Sequence, residues 1–286
     1  MISDITLGQF FPGSSPIHRL DPRTKIIISV LFIATVFVAN NPISFLALLV
    51  ISAALIITTG ISVKVIMKSL KPIIFIIAFT GLINLFMGQG EIIFEIGFIK
   101  ITEQGIARAV LMALRVVFLI LGSSLLLTYT TSPISMTDGL ESLLSPLKKV
   151  KVPVHTFAMM MSIALRFIPT LIEETDKIMN AQKSRGADFT SGGLVKKAKA
   201  LVPILIPLFV SSFKRAEELA TAMECRCYRG DKNRTKLVKL EYHGLDFAYL
   251  IGFVIMLGIF ICLSILPYKI DLGIPETINK LLFYKV

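Results

Sequence analysis

From Ile43 to Thr59 the chain carries no charged side chain, and Pro72–Met87 and Phe247–Leu266 are equally free of charge. Runs of this length match helices crossing a hydrocarbon core of about 30 Å, whereas a soluble core helix rarely stays apolar on every face. Ile106–Thr128 is a fourth such run, interrupted only by Arg108 and Arg115. Arg108 lies near one end and can snorkel to the interface; Arg115 lies deeper and should face protein rather than lipid. A fifth run, Ile26–Ala39, is short for a span and must borrow length from its flanks or shelter behind neighbours. Mean hydropathy of +0.77 over 286 residues agrees with an integral membrane protein. Residues 1–25 contain no apolar core of the kind a secretory signal needs.

Charge in the loops sets the expected orientation. The segment before the first run holds Arg19, Arg23 and Lys25, and the loop after the second holds Lys64, Lys68 and Lys71. The loop near residues 40–42 is uncharged, and the loop after the third run is mainly acidic, with Glu91, Glu95 and Glu103 beside Lys100. Residues 131–246 carry an excess of Lys and Arg. Basic loops stay in the cytoplasm, so the pattern predicts a cell-membrane protein with cytoplasmic N-terminus, a cytoplasmic 131–246 region and an outside C-terminus. Three regions follow: 1–130 with four spans, 131–246, and 247–286 with the last span and tail.

The middle region is too long for a connector and too patterned for disorder. A short amphipathic helix is expected at Thr137–Val150. A second helix should run from Val154 to Arg185 with Pro169 inside it. A third should run from Leu201 to Arg229 with Pro203 and Pro207 near its start. Both long helices begin apolar and become amphipathic, as if leaving a lipid environment for a wet one. The second shows Ile168, Leu171, Thr175, Ile178, Gln182 and Arg185 at alternating spacings of three and four. The third shows Phe213, Ala216, Ala220, Met223 and Cys227 in the same rhythm. Such stripes predict a crossed pair, with Thr175, Ile178, Gln182, Ala216, Ala220 and Met223 at the crossing. The fold class is therefore all-α integral membrane, with about five transmembrane helices, two long crossed helices and one short amphipathic helix.

Each long helix ends on an arginine set among compact residues: Ser184-Arg185-Gly186 and Cys225-Arg226-Cys227. Superposing the arginines also pairs Asp176 with Glu217 and Ala181 with Ala222. A cation at a helix C-terminus complements the helix dipole, which contributes about 0.3–1 kcal/mol. Compact neighbours do more: they clear space for the guanidinium fork to enter a groove and meet a carboxylate or carbonyls. Two similar tips suggest a partner with two similar faces.

Three cysteines outside any secretory context do not read as a disulfide framework, and Cys-x-Cys without a second pair does not read as a metal site. The net charge of +11 lies in loops on one side of the membrane, without the interleaved aromatics of a nucleic-acid surface.

The stretches "HRLDPRTKI" (His18–Ile26), "ALRFIPTLIEETDKIMNAQKSRGADF" and "AMECRCYRG" resemble the T component of energy-coupling factor transporters, in the CbiQ-like family. The family's signature is two Ala-Arg-Gly triplets at the tips of its coupling helices. Here both arginines remain, and three of the four flanking positions differ. The resemblance implies a scaffold that joins two cytoplasmic ABC-type ATPases, EcfA and EcfA′-like, to a membrane-embedded, substrate-binding S component. It implies uptake of a vitamin or metal ion, ATP-Mg used by the ATPases, and no cofactor on this chain. Ala181, Ser184, Arg185, Gly186, Ala222, Cys225, Arg226 and Cys227 would form the ATPase interface.

Rival readings are weaker. No G-x-x-x-x-G-K-[ST] stretch is present to cradle a nucleotide. His18, His155 and His243 are scattered and form no catalytic or metal motif. Glu173, Glu174, Asp176, Glu217 and Glu218 read as solvated helix faces paired with Lys177, Lys214 and Arg215. A self-sufficient carrier would place more polar groups at mid-membrane than Arg115 and Gly122–Ser124. The permease subunit of another ABC importer, the nearest alternative, would normally offer one short coupling helix per chain rather than two.

Overall fold

The structure is a computed structural model describing residues 10–86, 92–96, 99–187, 189, 193–228, 230 and 240–265. The expected outside C-terminal tail lies beyond the described residues. The described elements are helical apart from one hairpin. In chain order they are α1 (Pro22–Val38), α2 (Pro42–Thr59), α3 (Val63–Leu70), α4 (Ile74–Phe86), β1 (Ile92–Ile96), β2 (Ile99–Thr102), α5 (Glu103–Ser123), α6 (Pro133–Leu143), α7 (Val154–Ser184), α8 (Leu194–Cys225) and α9 (Gly244–Ile265). The hairpin is antiparallel and occupies the acidic loop after the third span.

Five described stretches are long and apolar enough to cross a membrane: α2, the α3–α4 run Val63–Leu85, Gly105–Thr128, α7 and α9. Four coincide with expected spans. The fifth is α7, whose N-terminal half is as apolar as a span, while α1 has 17 residues and extends only about 26 Å. The chain is a multi-pass membrane protein.

The chain divides into two compact units, Phe10–Gly139 with Leu240–Val286, and Leu140–Lys239 with Met1–Gln9. The last helix thus belongs with the N-terminal bundle. In that bundle α1 is central, packed against α5 and α9. Its inward face carries Ile28, Phe32 and Val36, each almost wholly buried, and meets Phe118, Leu125, Phe253 and Phe260. Gly122 makes the contact between α5 and α1 possible: a Cβ there would collide with the Phe32 ring. One π-helical turn, Ser124–Thr128, ends α5 and delivers the buried Tyr129, whose hydroxyl bonds with Ser69 of α3.

Helix starts follow local chemistry. Asp21 caps α1 through the Arg23 N–H at 2.8 Å, and Pro22 supplies a first-turn residue that needs no donor. Thr102 caps α5 through the Gly105 N–H. At the other end of α1, Arg115 donates to the Ala39 carbonyl (2.6 Å) and to Asn40 (3.2 Å), so this arginine inside a span faces a helix C-terminus. Asn41 donates to the Leu263 carbonyl near the end of α9.

The stretch His18–Lys25 knots the bundle together. The buried Lys25 ammonium donates to the carbonyls of Thr130 (2.7 Å) and His18 (3.0 Å). The Asp246 carboxylate, 2 % exposed, accepts from the backbone N–H groups of Asp21 (2.8 Å) and His243 (2.7 Å). Arg23 pairs with Asp21 and stacks 3.9 Å from the centre of the Tyr242 ring. Gly139 lies so close to the head of α1 that a Cβ would meet Pro22 Cβ at 3.0 Å. His18 is held by Ser15 and the Phe11 carbonyl, and burial lowers its pKa below the ordinary histidine value.

The second unit is dominated by α7 and α8, which pack on each other. Pro169 lies within α7, and Pro203 and Pro207 lie within α8. Helix α8 begins seven residues before the expected Leu201, so both of its prolines are interior. The short helix expected at Thr137–Val150 is instead α6 followed by a 3₁₀ turn over Ser145–Val150. Much of the unit's large apolar surface is uncovered within the chain, including Phe157, Met160, Phe209 and Phe213.

Candidate functional site

The helical pattern carries α7 to Ser184 and α8 to Cys225, and both helices then stop in the same way. Arg185 takes φ −88° and ψ 5°; Arg226 takes φ −88° and ψ 12°. The next residue turns left-handed in each case, Gly186 at φ 87° and Cys227 at φ 56°. After α7, the Gly186 N–H donates to the Lys183 carbonyl (2.9 Å) and the Ala187 N–H to the Gln182 carbonyl (3.0 Å). After α8, the Cys227 N–H donates to the Glu224 carbonyl (2.8 Å) and the Tyr228 N–H to the Met223 carbonyl (3.1 Å). Each pair of bonds forms a Schellman cap, closing the carbonyls that a helix end leaves open. The two arginines therefore occupy one backbone position in two copies of one turn.

Both arginines are exposed, as are Ala181, Ser184, Gly186, Ala222, Cys225 and Cys227. Among the described residues neither guanidinium pairs with a carboxylate. Glycine after Arg226 proves dispensable for the turn, because Cys227 adopts the left-handed conformation itself. That conformation costs a residue with a Cβ roughly 1–2 kcal/mol.

The contact between the two helices is polar at its centre. Glu174 of α7 accepts from Ser211 Oγ (2.5 Å) and from the Arg215 guanidinium (2.7 Å), both on α8. Thr175, Ile178 and Gln182 are half-buried on α7, and Met223 is half-buried on α8. Ala216 and Ala220 are exposed, and Phe213 is 71 % exposed. The half-buried face of α8 instead runs through Leu208, Ser211, Arg215, Leu219 and Met223. It is displaced by about one residue, or 100° of helix rotation, from the small-residue stripe. The physical reason is the Glu174 carboxylate, which draws Ser211 and Arg215 inward. Arg215 thus pairs between helices rather than along its own. The recurrence of Leu208, Leu219 and Met223 was the sequence signal for this face.

The histidines stay apart. His155 meets the Glu141 carboxylate at 2.9 Å, while His18 and His243 serve the His18–Lys25 knot and the start of α9. Among the described residues, no group of three or more His, Cys, Asp or Glu side chains is placed to hold a metal ion.

A multi-pass bundle and a pair of long helices with matched arginine tips define a helical integral membrane protein. Residues 13–237 match the model of the cobalt transport protein family, CbiQ. The chain is 53% identical over 246 residues to the energy-coupling factor transporter transmembrane protein EcfT of Ruminiclostridium cellulolyticum, covering 86% of this chain and 92% of that protein. It is 52% identical over 278 residues to EcfT of Acidaminococcus fermentans, covering 96% and 100%. Against EcfT of Bacillus subtilis it is 51% identical over 257 residues, covering 90% and 97%. The chain belongs to the CbiQ family, in its EcfT branch: it is a transmembrane T component of an energy-coupling factor transporter.

Proposed function

We propose that this chain is the non-catalytic force-transmitting scaffold of its transporter, with α7 and α8 as coupling helices. Arg185 and Arg226 each seat in a groove on one of two ABC-type ATPases, EcfA and EcfA′-like, and Ala181, Ser184, Gly186, Ala222, Cys225 and Cys227 line the seats. The ATPases use ATP-Mg, and this chain binds no cofactor. A membrane-embedded S component binds the vitamin or metal ion and meets the scaffold within the bilayer. The N-terminus and the α7–α8 unit face the cytoplasm, and the C-terminus faces outside, as the basic loops dictate.

The observation that carries this reading is the duplicated cap: two exposed arginines at one backbone position, on helices joined through Glu174, suit a partner with two similar faces. Uncovered apolar residues on both helices supply the area that such partners and lipid would bury. A charge-assisted contact at each tip would contribute roughly 1.5–3 kcal/mol. The permease of another ABC importer would present one such tip per chain.

The test is co-purification of the wild type and of Arg185→Ala/Arg226→Ala with the ATPases, followed by ATP-dependent uptake in vesicles. Loss of assembly or uptake in the double variant is expected, with each single variant intermediate. Full assembly together with full uptake in the double variant would overturn the assignment.

A further inference from the structure

Helix α3 contributes nothing to the ATPase seats proposed above, yet it is the most sharply divided helix of the N-terminal bundle. One face is fixed to the bundle: Ile66 is 4 % exposed and Ser69 bonds to the Tyr129 hydroxyl. Lys64, Lys68 and Lys71 follow at spacings of four and three, which puts them within about 60° of one another around the helix. All three are exposed, and among the described residues none pairs with a carboxylate. Between the lysine row and the anchored face lies an apolar line, Val63 and Met67, each about 60 % exposed.

We propose that α3 is an interfacial helix whose lysine row binds the headgroups of anionic phospholipids. Continuity with the membrane decides in favour of lipid. A single 3₁₀ turn, Lys71–Ile73, separates α3 from α4, the uncharged part of the membrane-crossing stretch Val63–Leu85, which exposes Ile74, Phe75, Ile76 and Phe79 from its first residue. The lysines are therefore held within about two turns of the hydrocarbon boundary, where phosphates lie. Val63 and Met67 enter the upper acyl region beside them, and the ammonium groups reach outward to the headgroups. Because Ile66 and Ser69 fix the rotation of the helix, the row is a preformed patch rather than a flexible basic loop. Each lysine close to an anionic surface raises affinity by about fivefold.

The chain contains no tryptophan, so Met67→Trp creates a single fluorescent reporter at this site. The full chain carrying Met67→Trp is reconstituted in phosphatidylcholine vesicles containing a minority of phosphatidylglycerol. Brominated acyl chains are placed on one lipid or the other. Brominated phosphatidylglycerol is expected to quench by at least the roughly fivefold excess of one lysine over what its share of the bilayer predicts. Raised salt should diminish the excess, and Lys64→Gln/Lys68→Gln/Lys71→Gln should abolish it while quenching by brominated phosphatidylcholine persists. Quenching in simple proportion to bulk composition would overturn the proposal, as would an excess that survives the triple substitution. Quenching by neither lipid would overturn it too, since protein would then cover the face.

Discussion

Replacing Cys227 with glycine should tighten the end of α8. The cysteine holds φ 56°, a conformation that costs roughly 1–2 kcal/mol with a Cβ and almost nothing for glycine. Glycine also gives the unfolded chain more freedom, which offsets about 0.4–1 kcal/mol of the gain. The net is a stabilisation of the cap by about 0.5–1 kcal/mol, or about two- to fivefold slower exchange of the last amide hydrogens of α8. The opposite change is available at the other tip. Gly186→Ala places a Cβ at φ 87° with no atom within 4 Å to meet it, so its effect is confined to the backbone. It should loosen the end of α7 by a similar factor. Hydrogen exchange read by mass spectrometry on peptides spanning each tip measures both. If the two substitutions shift protection in the same direction, the matched-cap reasoning is wrong.

Two further substitutions test the framework beneath the tips. Gly122→Ala would drive a methyl group into the Phe32 ring, and overpacking of this kind costs about 1–3 kcal/mol. The purified protein should melt at a lower temperature, and adding Phe32→Leu should recover part of the loss. Glu174→Gln leaves the partly exposed Arg215 without its charge partner across the α7–α8 contact. Discounted for solvent, the loss should be about 1 kcal/mol, seen as faster exchange midway along both helices while the two caps keep their protection.

The spans holding α2, α4 and α9 were legible because an uncharged run of span length has few other uses, and α5 because its apolar run outlasts Arg108 and Arg115. Both arginine tips were legible as well, since small residues around a cation at the end of a helical pattern are uncommon. Helix α3 escaped notice because three lysines in eight residues read as a basic loop; its inward residues, Ile66 and Ser69, acquire meaning only once Tyr129 is in place. The early start of α8 was hidden by Pro203 and Pro207, which mark a helix beginning more often than an interior. Small residues predicted a face of α8 that is exposed apart from Met223, because close backbone approach was assumed, whereas the half-buried Glu174 carboxylate set the rotation. The hairpin after α4 lies in a stretch where charge, not alternation, dominated the reading.

The knot at the head of α1 has a mechanical meaning. The chain leaves the bundle just after Gly139, which presses on Pro22, and returns through Tyr242 and Asp246, which grip Arg23 and Asp21. Both stems of the α7–α8 excursion are thus clamped to three consecutive residues, as the two legs of a hairpin spring share one post. A pull on either leg is resisted first at Asp21–Arg23, so one post bears the load of both legs.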